Sequence, residues 1–203
     1  MQKIKNIIFD MGGVLVGLDG QRCIRAFEEI GAHEISNYVR YHRTEDLFFD
    51  AEVGNISEAE FCEEVRRITG CKATDAQITA AWNCLLTEIP DSKKQRLLEL
   101  HDKYHLYLLS NTNVTHWTHC AEHLFRYGRW GVNDYFDACF LSYEMHLFKP
   151  DEEIFRQALL EAGIKAGETL FVDDLSANCE AARALGIQVL HEATGTDWMH
   201  NIK

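Results

Sequence analysis

Four short apolar runs, Ile7–Phe9, His105–Leu109, Cys139–Ser142 and Thr169–Val172, each give way to polar residues on their C-terminal side. A fifth, Ile187–Leu190, follows Gly186. Runs this short and this apolar are expected to be strands buried on both faces. Helical periodicity fills the later intervals: Asp151–Ala162 places Ile154, Phe155, Ala158 and Leu159 on one face before Gly163, and Ser176–Leu185 behaves similarly before Gly186. Strands alternating with helices predict an α/β fold, a doubly wound parallel sheet with helical crossovers.

The interval between the first two runs breaks this rhythm. It spans about 95 residues, far beyond an ordinary crossover, and carries helical signals without a clear strand. Ser57-Glu58-Ala59-Glu60 reads as a capping box ahead of Phe61, Val65 and Ile68, closed by Gly70, and Thr74-Asp75-Ala76-Gln77 as another ahead of Ile78, Trp82 and Leu85. A helix from Ser92, carrying Leu97, Leu98 and Leu100, belongs to the sheet crossover. The expected organisation is a core of residues 1–16 and 88–203 interrupted by an all-helical cap at 17–87. A chain of 203 residues is long enough for both.

Charge narrows the partners. With 32 acidic and 20 basic side chains the net charge is −12, which repels nucleic acid and anionic membrane, and no basic run offsets it. An anionic substrate would therefore need cations at its own site. Seven scattered cysteines without a CxxC pair read as reduced thiols, and no apolar run is long enough to span a bilayer. A cytoplasmic protein is expected.

The polar residues after the strands carry the chemistry. They are Asp10, then Ser110-Asn111, then Lys149 a few residues past Ser142, then Asp173-Asp174. The carboxyl ends of strands in an open parallel sheet line one edge, where ligands bind, so these groups should meet in one pocket. Crowded carboxylates repel unless a cation sits among them, and Mg²⁺ suits an all-oxygen site that also takes a phosphate. Each element has a blander reading. Asp10 could be a turn former, Ser110 or Asn111 could cap the next helix, and Lys149 before Pro150 could be an ordinary surface lysine. Asp173-Asp174 resists such a reading, because capping explains one carboxylate and hardly both. His116, His119 and His123 share a helical face, but with no Cys or carboxylate partner a zinc site there is not expected. Tyr41-His42-Arg43 could touch a substrate or form a solvated face, and Trp82 and Trp117 are expected to pack.

These four elements, in this order, resemble the four motifs of the haloacid dehalogenase superfamily, over residues 1–16 and roughly 90–192. The inserted helices resemble its C1 cap. The pattern is most similar to the group containing α-D-glucose-1-phosphate phosphatase, at Phe9-Asp10-x-Gly12-x-Val14, Leu109-Ser110-Asn111-Thr112-Asn113, Lys149-Pro150, and Asp173-Asp174 followed by Asn178. The resemblance implies a phosphatase acting on a small phosphorylated metabolite such as a sugar phosphate. Asp10 would be nucleophile and magnesium ligand, the Gly12 carbonyl and Asp174 further ligands, and Asp173 would orient or join them. Ser110, Asn111 and Lys149 would hold the phosphate. Two other readings remain open at this stage: a metal-independent haloacid dehalogenase, and a non-catalytic binding protein on the same fold. Most phosphatases of the superfamily carry a second Asp, as general acid and base, where this chain has Gly12. Asp19, Asp173 or a metal-bound water are candidate replacements, and without an acid the enzyme should favour good leaving groups, hence sugar 1-phosphates over sugar 6-phosphates.

Overall fold

The computed structural model describes residues 3–41 and 47–203. Five parallel strands, β1 (Asn6–Phe9), β2 (His105–Ser110), β3 (Ala138–Leu141), β4 (Thr169–Asp173) and β5 (Gln188–His191), form one sheet in the order β3-β2-β1-β4-β5. Ile8 pairs with Tyr107 on one side and with Phe171 on the other. The central strand β1 is buried throughout, which is why it reads as a continuous apolar run. Alternate residues serve opposite faces. Ile7, Phe9, Leu106, Leu108 and Val172 join one core, whereas Ile8, Tyr107, Leu109, Phe140 and Phe171 join the other.

Between β1 and β2 the chain forms α1 (Gly20–Glu29), α2 (His33–Tyr41), α3 (Leu47–Glu52), α4 (Glu58–Thr69), α5 (Asp75–Asn83) and α6 (Asp91–His101). Both expected capping boxes are present, Ser57 with Glu60 and Thr74 with Gln77, and Gly70 closes α4 in the left-handed region. The first five helices share a core of their own, in which Phe61 stacks on Trp82 at 3.9 Å. The chain enters and leaves them side by side: Leu18 bridges antiparallel to Leu86, the Asp19 N–H donates to the Leu85 carbonyl and the Thr87 N–H to that of Gly17. His42 and Arg43 lie outside the described residues, as does the side chain of Tyr41.

After β2 come α7 (Val114–His119), continued by one wider turn at Cys120–Leu124, then α8 (Val132–Tyr135), and after β3 α9 (Ser142–Met145) and α10 (Glu152–Ala162). After β4 comes α11 (Ser176–Ala184), and α12 (Asp197–Asn201) ends the chain. Strand β3 ends one residue earlier than the apolar run suggested. Ser142 instead opens α9 and its hydroxyl is drawn into a loop junction, accepting from the Thr112 N–H at 2.9 Å. Because β2 and β4 flank β1, the chain diverges to opposite sides of β1, and a crevice opens at the carboxyl ends of these three strands.

Candidate active site

The strand ends deliver their polar residues to that crevice. The Asp10 N–H extends the ladder by donating to the Val172 carbonyl at 2.9 Å, which fixes the carboxylate just past β1. Lys149 reaches in from the segment between α9 and α10. Its Nζ lies 2.9 Å from Asp10 Oδ1 and 2.7 Å from Asp173 Oδ2. All three side chains are buried, with Asp173 wholly out of solvent. Ions so far from water persist only when paired and hydrogen-bonded. Burial pushes the Asp10 carboxyl up to about 6, the Lys149 ammonium pulls it down, and the Asp173 charge adds to the rise. Burial also works to lower the Lys149 pKa, but the two carboxylates outweigh it and hold the ammonium above its usual value.

Asp173 is held from several directions. Its Oδ1 accepts from the Leu175 N–H at 2.8 Å, and the Asn178 amide donates to both oxygens at 3.0 Å. Asp174 stands beside it, half-buried, its pKa raised by burial and by the Asp173 charge. Gly13 makes room for Asp174. Its φ is +72°, and a Cβ there would overlap the Asp174 carboxylate, so both conformation and space demand glycine. Gly12 is freer, since a Cβ would meet only Leu18 at 3.4 Å.

Asn111 pairs with Lys149 across the crevice. Its Nδ2 donates to the Lys149 carbonyl at 2.9 Å, and its Oδ1 accepts the Lys149 N–H at 2.8 Å. This fixes the backbone from which the ammonium projects. Ser110 is buried at the end of β2. Neither residue caps the following helix; Asn113 does, accepting from the His116 N–H at 2.9 Å. Asn178, which had no assigned role from sequence, is the residue that orients Asp173. Only its spacing after the Asp pair, in the first turn of α11, pointed to it.

Asp10, Asp173 and Asp174 each offer an oxygen within 4.8 Å of the others, and they are the one such group of potential metal ligands among the described residues. Hard oxygen donors crowded together and short of positive charge fit Mg²⁺. The histidines do not form a metal site. His116 is buried, its Nε2 3.3 Å from the Trp82 carbonyl and its Nδ1 3.2 Å from the Asn113 amide, and burial lowers its pKa to about 4. Trp82 packs within the helical core and Trp117 against the sheet core, as expected. Asp19, one candidate acid, spends its carboxylate capping α1 through the Arg22 N–H. A cavity of about 420 Å³ beside α4, lined by Leu47, Ile56, Glu60, Glu63, Glu64 and Arg67, shares no residue with the crevice. Its carboxylates suit no phosphate.

Comparison with known proteins agrees with this geometry. A family model described as haloacid dehalogenase-like hydrolase matches residues 4–186. D-ribitol-5-phosphate phosphatase of Bacteroides thetaiotaomicron is 35% identical over 202 residues, covering 98% of this chain and 97% of that protein. A crystal structure of a haloacid dehalogenase family enzyme from the same species, in complex with magnesium and inorganic phosphate, is 42% identical with a TM-score of 0.94 and covers 98% of this chain and 100% of that one. L-2-haloacid dehalogenase of Xanthobacter autotrophicus, 23% identical with a TM-score of 0.62 over 92% of this chain and 76% of its own, shares the fold. With most of its length matched by the family model, and with a relative above 30% identity along almost the whole chain, this protein belongs to the haloacid dehalogenase-like hydrolases.

Proposed function

We propose that the protein is a magnesium-dependent phosphatase of small phosphorylated metabolites, sugar or polyol phosphates, working through an aspartyl-phosphate on Asp10. The observation that carries this is the Lys149 ammonium lodged between Asp10 and Asp173, with Asp174 alongside. One ammonium against three carboxylates calls for a divalent cation and gives a phosphoryl group its place. The relatives point the same way: one is named for a sugar-alcohol phosphate, and another was crystallised with magnesium and phosphate.

Asp10 and Asp174, with the Gly12 carbonyl, would hold Mg²⁺. Asp173, already engaged by Leu175, Asn178 and Lys149, serves chiefly to orient the lysine. When bound, the ion neutralises charge on the phosphoryl oxygens. Asp10 attacks phosphorus in line, the bond from phosphorus to the ester oxygen breaks, and the leaving alkoxide takes a proton from a water molecule. Lys149 stabilises the equatorial oxygens, and Ser110 with the backbone at Asn111 closes the phosphate cradle. Water then cleaves the acyl phosphate, releasing phosphate and restoring the Asp10 carboxylate. Burial of Asp10 favours the protonated acid below about pH 6 in the metal-free site, so protons compete with Mg²⁺ there and turnover at limiting magnesium is expected to fall with pH.

Cation-free dehalogenation fits this site poorly, because Asp173 and Asp174 would repel a carboxylate substrate. The test is hydrolysis of an aryl phosphate and a panel of sugar and polyol phosphates, with magnesium and with excess chelator. Activity should vanish in chelator and return with Mg²⁺; undiminished hydrolysis in chelator sinks the metal assignment. The panel includes both 1-phosphates and primary phosphates, because the leaving-group argument favours the former whereas the relative's name specifies a 5-phosphate. All seven cysteines are free thiols, and no helix among the described residues is long and apolar enough to cross a membrane. The free thiols support a cytoplasmic setting.

A further inference from the structure

Lys93, on the first turn of α6, is a buried ammonium that the chemistry above leaves unused. No carboxylate among the described residues forms an ion pair with it. Its Nζ instead donates to two backbone carbonyls, Val14 at 2.5 Å and Leu15 at 3.2 Å. Those carbonyls belong to the tight loop that follows Asp10. In that loop the Leu15 and Val16 N–H groups both donate to the Met11 carbonyl, and the Gly13 N–H donates to Val16. The loop's own hydrogen bonds leave the Val14 and Leu15 carbonyls facing inward, and Lys93 supplies their donors. Burying a lysine for this purpose is costly, since an ammonium out of water normally requires a counter-charge.

The C-terminal segment closes over the same point, and it lies beyond residue 186, where the family match ends. The Glu192 N–H donates to the Asp173 carbonyl at 2.9 Å. Its buried carboxylate gathers the N–H groups of Thr194, Asp197 and Trp198 at 3.1, 3.0 and 2.7 Å. This curls the segment so that Gly195, at φ +78°, sits against the loop. A Cβ on Gly195 would lie 3.1 Å from the Gly13 carbonyl and 3.8 Å from Lys93 Nζ. Trp198 then packs edge-on against Phe9, the residue before Asp10, at 5.0 Å. Burial lowers the Lys93 pKa, and the Glu192 charge works against that shift.

We propose that Lys93 is a positioning residue, which, clamped by the segment Glu192–Trp198, sets the Met11–Val16 loop and thereby aims the Gly12 carbonyl and the Asp10 carboxylate at the magnesium ion. Its influence should therefore appear in metal binding and in kcat, and little in substrate KM. This rests on the phosphatase reading, and the test separates the two. Magnesium binding is measured by titration calorimetry on the full chain without substrate, for the parent, Lys93→Met and Lys93→Arg, with thermal unfolding as a parallel readout.

Lys93→Met is expected to raise the Mg²⁺ dissociation constant at least tenfold and to lower kcat by a similar factor. Lys93→Arg, which keeps donors for both carbonyls, should recover part of each. A folded Lys93→Met protein that binds Mg²⁺ like the parent, with only its unfolding temperature lowered, overturns the proposal. If Lys93→Met does not fold, Gly195→Ala carries the test by pressing on the Gly13 carbonyl from outside. Weaker magnesium binding in it supports the clamp, and parent-like binding overturns it. A parent protein that binds no magnesium at all overturns the phosphatase reading beneath both.

Discussion

Lys149 is the residue on which the charge balance of the site turns, and replacing it with Met removes the charge while nearly keeping the volume. The ammonium is almost fully buried and touches both Asp10 and Asp173. Removing one partner of a buried ion pair costs about 3–5 kcal/mol, because the other charge is left uncompensated. For a chain of this size that corresponds to a fall of roughly 6–20 °C in unfolding temperature. The pH dependence gives the mechanism away. In the parent the folded Asp10 pKa is about 6, against an ordinary value of 3.8, so the folded state binds more protons between those limits and Asp10 costs stability as pH rises through them. Without Lys149, which lowers it, that folded pKa climbs further and the costly window extends upward. Between pH 7.5 and 5 the variant should therefore regain about 1–2 kcal/mol more than the parent does. Magnesium should also restore part of the loss, since a cation takes over the neutralisation. Urea unfolding at both pH values, with and without Mg²⁺, measures all of this. A deficit equal at both pH values and indifferent to magnesium would refute the argument, and so would a variant as stable as the parent at pH 7.5.

Asp10→Asn should abolish turnover, by more than 10³-fold, with an unchanged circular dichroism spectrum, since an amide is nearly isosteric but not nucleophilic; near-parent rates would remove the covalent route. Gly13→Ala forces a left-handed alanine, at about 1–2 kcal/mol, and drives its Cβ into Asp174. It should weaken Mg²⁺ binding as well as lower the unfolding temperature, which calorimetry and a melting curve together reveal. Gly12→Asp meets only Leu18 on a backbone any residue can adopt, so it should fold. If a missing acid limits departure of poor leaving groups, the variant should gain on glucose 6-phosphate relative to glucose 1-phosphate, read as the ratio of kcat/KM; an unchanged ratio counts against the argument.

The sheet and the helix starts were legible because their signals are local. Ile7 to Phe9 and Phe171 to Val172 are buried on both faces, so burial alone writes a continuous apolar run. Ser57 and Thr74 announce α4 and α5 because a capping box closes within four residues. The carboxylates were legible because a parallel sheet brings every strand end to one edge, whatever lies between. What could not be read is where each remaining polar group finds its partner. Asn111 looks like a helix cap from its position, but its amide is taken by the Lys149 backbone, 38 residues on. The cap role falls to Asn113, and no local pattern decides between the two. Lys93 resembles any lysine of an amphipathic helix until the carbonyls of Val14 and Leu15 are brought to it. His116, His119 and His123 show the opposite hazard. Shared periodicity alone could suggest a common ligand, but without a Cys or carboxylate partner no zinc site was expected, and His116 is turned inward to the Trp82 carbonyl while His119 and His123 pack ring to ring.

The charge count at the crevice also bears on the order of events. Asp10, Asp173 and Asp174 against Lys149 leave an excess of negative charge in a chain already at −12. A phosphate monoester, itself an anion, would meet repulsion from the surface and from the site. Burial first, and the Asp173 charge after it, raise the pKa values of Asp10 and Asp174, so protonation is the relief available to the protein alone. A divalent cation offers a second relief, competes with those protons, and turns the site from one that repels phosphate into one that attracts it. Metal should therefore precede substrate, and acid should weaken metal binding before it disturbs the fold. Asp173, locked between Asn178, Leu175 and Lys149, holds the lysine in place through the protein's own hydrogen bonds.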